Sequence, residues 1–138
     1  MTGEMGTITY VTAEPFRQAL RSVRRILKAR NLQIIGEFDV CARMREKLLM
    51  DTAPCVVLFV WPVARLDETL VTDSCAAALA PLHVVVSGHG AQSEVHVLRT
   101  LPGDAGLMDR RSIAVLNQIQ AEIAQAIGKI AMRVTWNA

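Results

Sequence analysis

The sequence predicts an α+β fold, a two-layer sandwich in which an antiparallel sheet is covered by two long helices. Three observations support this prediction. Residues 16–27 and 112–130 carry apolar side chains every three or four positions, which is the period of an amphipathic helix. Four short β-branched runs lie between these two stretches. A glycine-containing turn joins the last two runs, so we expect those strands to pair antiparallel, as in the α+β class.

The composition fits one domain over residues 1–138 that has a substantial core. Hydrophobic residues make up 51% of the chain and aromatic residues only 4%, so the core must consist mainly of aliphatic side chains. The mean hydropathy of +0.29 leaves apolar surface after folding, which favours a homodimer. A net charge of +2 does not indicate a polyanionic partner, and no apolar run reaches the ~18 residues of a membrane span.

The cysteines and the start of the chain both favour a cytoplasmic protein. The first residues lack the cationic start and apolar core of a secretion signal. Cys41, Cys55 and Cys75 are odd in number and widely spaced, which is typical of reduced thiols rather than of a disulfide framework. We expect these thiols to be mostly buried.

The first half of the chain predicts two strands, each followed by a helix. Residues 8–12 form a short strand, and the helix of residues 16–27 then begins at Pro15 and stops near Asn31. Residues 33–40 form the second strand, in which Gly36 marks either a bulge or a close approach of the backbone. Asp39 then caps a short helix that contains Met44, Leu48 and Leu49.

The second half predicts three strands and a long helix. Cys55 to Trp61 is a continuous apolar run that Pro62 ends, which is typical of a central buried strand. Short helical segments over 66–70 and 75–79 follow. Residues 82–87 and 93–99 form a hairpin around Gly88 to Gln92, and the long helix runs from Ser112 to Ile130.

Several segments together resemble one known family. They are Phe16 to Leu27, Ile35 to Val40, Arg45 to Leu48, Pro54 to Pro62, Ala64 to Leu70, Ala80-Pro81 and Leu101-Pro102. In pattern and spacing, residues 10–130 resemble the bacterial and archaeal family catalogued as domain of unknown function 302. The resemblance implies a TATA-binding-protein-like fold of order β-α-β(4)-α, often dimeric, with no established activity. Similar sequences often carry Cys-Asn-Pro where this chain has Val60-Trp61-Pro62, and Pro-Cys where it has Pro81-Leu82. The resemblance therefore carries over no thiol site.

The sequence gives no catalytic or metal-binding signature. His83, His89 and His96 lie on or beside the hairpin, but their spacing matches no zinc motif. Depending on the strand register, His83 and His96 could lie on opposite faces of the sheet. There is no nucleophile elbow or glycine-rich phosphate loop. We predict no catalytic residue, no metal site and no cofactor.

Two surfaces are candidates for binding. Trp61 and Arg65 follow the central strand, and with Asp73 and His83 they form our predicted ligand-binding set. Trp61 suits a pocket wall or a dimer interface equally well. The first helix carries a basic row, which a solvated helix face explains more simply than a nucleic-acid site. The row consists of Arg17, Arg21, Arg24 and Lys28.

We therefore predict a non-enzymatic, cytoplasmic homodimer that binds a small ligand or a partner near the ends of the central strands, with neither nucleic acid nor membrane as a partner. Two alternatives remain open. One is a metal-dependent or thiol-using enzyme that relies on His83 together with Asp73 or Cys75. The weaker one is nucleic-acid binding through the basic first helix.

Overall fold

The computed structural model describes residues 7–62, 82–98 and 110–134, so the predicted helical segments at 66–70 and 75–79 lie outside the described residues. The described residues form six strands and three helices. In chain order these are β1 (Thr7–Thr12), α1 (Phe16–Ala29), β2 (Leu32–Asp39), α2 (Val40–Leu48), β3 (Cys55–Pro62), β4 (Leu82–His89), β5 (Gln92–Leu98), α3 (Arg110–Gly128) and β6 (Met132–Arg133). No helix in these ranges combines the length and the apolarity that crossing a membrane requires.

All strands belong to one antiparallel sheet with the order β2-β3-β4-β5-β1-β6. The α+β class and the antiparallel sheet are thus confirmed. β1 is the first strand of the chain, yet it lies between β5 and β6 in the sheet because it pairs with β5, which comes late in the chain. The prediction of five strands omitted β6, because a strand of two residues is too short to show an alternating pattern.

The core lies between one face of the sheet and the two helices α1 and α3. Alternate residues of β3 are buried there, namely Val56, Leu58 and Val60. The helices supply aliphatic side chains to the same cluster: Ala19, Leu20, Val23 and Leu27 from α1, and Leu116, Ile119, Ile123 and Ile127 from α3. We call the opposite side of the sheet the second face. Val57, Phe59 and Trp61 point to it and are only half-buried, so the prediction that the whole run is buried was wrong.

Local signals placed both ends of α1 and the start of α2 correctly, whereas the long helix α3 begins and ends two residues earlier than predicted. α1 begins directly after Pro15, where a missing backbone N–H costs little, and it ends just before Asn31, which has a φ of 59°. The carboxylate of Asp39 caps α2 by accepting a hydrogen bond of 2.9 Å from the backbone N–H of Ala42. Leu49, which we predicted to lie within this helix, instead follows its last residue and ends α2 in the left-handed region, with a φ of 54°.

The bulge fixes the register of β2 with β3, and the hairpin fixes the register of β4 with β5. The pairing of β2 with β3 shifts between Ile34 and Gly36, which confirms the predicted bulge and leaves Ile35 as the extra residue. In the hairpin, His89 pairs with Gln92, so the turn is shorter than the predicted segment from Gly88 to Gln92. Gly90 has a φ of 68°, as two-residue hairpin turns require.

Candidate functional site

The second face carries a continuous set of apolar and aromatic side chains on three neighbouring strands. Phe38 of β2 pairs with Val57 of β3, and Phe59 of β3 pairs with His83 of β4. Val57 also pairs with Val85 of β4, the neighbouring strand opposite to β2. Directly paired residues of antiparallel strands point to the same face, so these five side chains form one surface, which we call the second-face patch.

The strand register brings two of the predicted ligand-binding residues to this face. Trp61 follows Phe59 by two residues in β3 and is half-buried, with part of its side chain packed against the core. His83 is exposed and makes an edge-to-face contact with Phe59, with ring centroids 5.3 Å apart and an interplanar angle of 74°. Arg65 and Asp73, the other two predicted residues, lie outside the described residues.

A polar cluster lies beside the patch on β4, β5 and β1. Glu94 Oε1 is 3.3 Å from His96 Nε2 and 3.4 Å from His89 Nε2. The hydroxyl of Thr9 is 3.0 Å from His96 Nδ1. His96 pairs with Val85, so it shares a face with His83 and the two are not on opposite faces. Over residues 7–62, 82–98 and 110–134, no three His, Cys, Asp or Glu side chains are grouped as metal ligands.

The charge of the second face limits its partners. Over the described residues of β1 to β5, the alternation of side chains along each strand and the strand register place no Lys or Arg on this face. Glu94 is the carboxylate that they place there. Nucleic-acid backbones are bound mainly through Lys and Arg. The strands of the second face therefore lack the groups that a phosphate backbone needs, whereas α1 carries a row of basic residues.

Two thiols lie where α2 meets the start of β3. Cys41 Sγ donates to the backbone carbonyl of Thr52 at 3.3 Å, and Cys55 begins β3. Both are free and half-buried, which is less buried than the sequence predicted. Burial raises the pKa of the Cys55 thiol, and the nearby Asp39 carboxylate and Cys41 raise it further. Because a reactive cysteine needs a lowered pKa, Cys55 is not arranged as an activated nucleophile.

In a Cys41→Ser, Cys75→Ser background, we expect Cys55 to be alkylated by iodoacetamide only at a higher pH than an ordinary cysteine, since the thiolate is the reacting form. Asp39→Asn should move the pH–rate profile to lower pH, because it removes a carboxylate and leaves a good capping residue. Glu46→Gln, on the exposed side of α2, is the matched control and should leave the profile unchanged. A folded-state profile identical to that of the urea-unfolded chain would contradict this expectation.

The sequence did not indicate Val57 and Phe59 as surface residues, because the uninterrupted apolar run of β3 does not distinguish its two faces. The signal that could have revealed them lies in β5. Its residues alternate between buried apolar or small side chains and more accessible polar ones, as in Glu94 and His96. Such alternation is typical of a sheet with one face in the core and the other more open.

Comparisons with known proteins agree with this fold. The model of the family described as "Domain of unknown function DUF302" matches residues 8–130. The crystal structure of an uncharacterized conserved DUF302 protein from Bacillus stearothermophilus is similar, with a TM-score of 0.80 and 16% identity over 91% of this chain and 98% of that chain. No curated protein matches the sequence. Since the family model spans all but the two ends of the 138 residues, the chain belongs to the DUF302 family.

Proposed function

We propose that this protein is a non-enzymatic homodimer whose two subunits join through the second face of the sheet. The observation that supports this most directly is the second-face patch, in which Phe38 is 43% exposed and Phe59 is half-buried beside an exposed His83. The proposal includes the TATA-binding-protein-like arrangement of the family resemblance. It also places the protein in the cytoplasm, in keeping with the free thiols of Cys41 and Cys55.

The size of the face suits a second copy. Five strands about 4.8 Å apart, each about 7 residues long at about 3.4 Å per residue, make a face of roughly 550 Å² in projection. Side chains enlarge this area towards the roughly 800 Å² that each partner contributes to a stable interface. Stacked sheets are a common way to bury such a surface.

The chemistry of the face also suits a second copy better than a charged partner. Apolar side chains adjoin a cluster in which Glu94 lies between His89 and His96, so one face presents both hydrogen-bond acceptors and donors. A two-fold axis would place the same groups opposite each other in reverse order. Apolar contacts at the centre with polar contacts around them are the usual composition of an interface.

Light scattering at micromolar concentrations should give a mass of about twice the 15.1 kDa of the chain. Phe59→Lys, at the centre of the patch, and Phe38→Lys, at its more exposed edge, should each give a monomer, because an interface centre does not accommodate an unpaired charge. Gln125→Lys, on the exposed side of α3, adds the same charge elsewhere and should remain dimeric. Circular dichroism checks that each variant is folded. A wild-type monomer at these concentrations, or a dimer that both patch variants leave intact, would overturn the proposal.

A second candidate is a small-ligand site at one end of the same face. The edge-to-face contact of Phe59 with His83 favours it, since Trp61 extends this aromatic surface. Arg65 and Asp73 belong to this candidate on sequence grounds alone. Aromatic walls with a few polar groups are typical of ligand pockets. If the protein is a monomer, small-ligand binding is the function of the second-face patch that the geometry favours.

A further inference from the structure

We propose that a groove on the helix side of the sheet binds a small organic anion that has an apolar body. The groove has a volume of about 560 Å³ and lies between α1 and the edge formed by β2 and β3. It opens on the side of the sheet opposite the second face, so it does not depend on dimer formation. Its volume is within the range of roughly 300–1,000 Å³ that is usual for small-molecule sites.

Two arginines give the groove its positive charge. Arg17 and Arg21 are four residues apart on α1, so their side chains lie on the same side of the helix and both line the groove. Both are exposed, and neither has a carboxylate partner among the described residues. The planar guanidinium group matches the oxygens of a carboxylate or phosphate head.

The other charges that line the groove are already engaged. Arg24 forms a two-pronged ion pair with Glu37, in which the two N–O distances are 2.8 and 2.6 Å. The carboxylate of Asp39 accepts the capping hydrogen bond from the backbone N–H of Ala42 and keeps its negative charge. Three arginines and two carboxylates line the groove, so its net charge is +1, and the ion pair of Glu37 is with Arg24 rather than with Arg17 or Arg21.

The remaining lining is apolar. Phe16 is half-buried, while Leu20 and Val56 belong to the core and are buried. A ligand that is bound only through its charge would not need this apolar lining, whereas an alkyl or aryl chain would bury apolar surface against it. The groove thus fits a molecule with an oxyanion head near Arg17 and Arg21 and a short apolar chain.

Calorimetric titration of the full chain with octanoate tests the proposal. We expect saturable binding, and Arg17→Gln and Arg21→Gln should each weaken it by about ten- to a hundredfold, as expected for the loss of one charge-assisted hydrogen bond. Arg25→Gln is the matched control because Arg25 is exposed on the same helix and does not line the groove. Octanamide, which lacks the charge, should bind at least tenfold more weakly. Octyl phosphate distinguishes a phosphate head from a carboxylate head.

Three results would overturn the proposal. The first is the absence of binding by octanoate and by octyl phosphate. The second is an equal affinity for octanamide, or an equal loss in Arg25→Gln, because either would show that the groove arginines are not specific contacts. The third is displacement of octanoate by a DNA duplex whose binding also depends on Lys28, which belongs to the basic row but does not line the groove, because this would assign the whole row to a polyanion. None of these results depends on whether the protein is a dimer.

Discussion

Leu58→Ala is expected to lower the free energy of unfolding by about 3 kcal/mol, whereas Val57→Ala, one residue away, should lower it by about 1 kcal/mol. Leu58 is fully buried among the core residues beneath the helices. Removal of its side chain loses apolar contact and leaves a cavity that a packed core fills only in part. Val57 lies on the second face and is half-buried, so its truncation leaves no enclosed cavity.

Urea denaturation of both variants and of the wild type measures the difference, and the slope of the transition should not change. The denaturation is measured at protein concentrations at which light scattering shows a monomer, so that the second face is free. Equal losses for the two variants would contradict the assignment of Val57 to an open face. If the dimer proposal is right, the cost of Val57→Ala should rise with protein concentration, while the cost of Leu58→Ala should not.

The sequence predicted the strand that contains these two residues, and local chemistry explains why. Cys55 to Trp61 is β-branched, aromatic and followed by a proline, and these properties belong to the segment itself. The same applies to the cap at Asp39 and to the helix stop at Asn31, since each depends only on nearby residues. A continuous apolar run does not distinguish burial on both faces from burial on one face.

The candidate site depends on pairings between distant strands, and the sequence does not specify them. Trp61 and His83 share a face because Phe59 pairs with His83. A shift of one residue would have moved His83 to the opposite face. His96 joins them only through the pairing of β5 with β4. The groove beside α1 was equally hard to predict, because the sequence indicates only a solvated basic face. The structure shows in addition that Glu37 of β2 neutralises Arg24 and not its neighbours.

The second large effect is expected at Gly88, where β4 passes beneath the start of α1. A Cβ atom added at this position would lie 2.8 Å from the Cβ of Phe16, which is closer than two such atoms can approach. Phe16 Cβ is fixed to the backbone of α1, so rotation of the ring does not relieve the clash. The first turn of the helix must move, and we expect Gly88→Ala to cost about 2 kcal/mol of stability, as for overpacked cores.

Gly36→Ala is the matched control, because its added Cβ would meet Phe59 Cδ2 at 3.6 Å, an ordinary contact. Its unfolding free energy should stay within about 0.5 kcal/mol of the wild type. Denaturation curves of the two variants measure the contrast, and a Gly88→Ala protein as stable as the control would show that α1 shifts at little cost. Gly88→Ala should also weaken octanoate binding, since Phe16 contributes to the floor of the groove. The close contact between Gly88 and Phe16 therefore couples the position of α1 on the sheet to the shape of the proposed anion site.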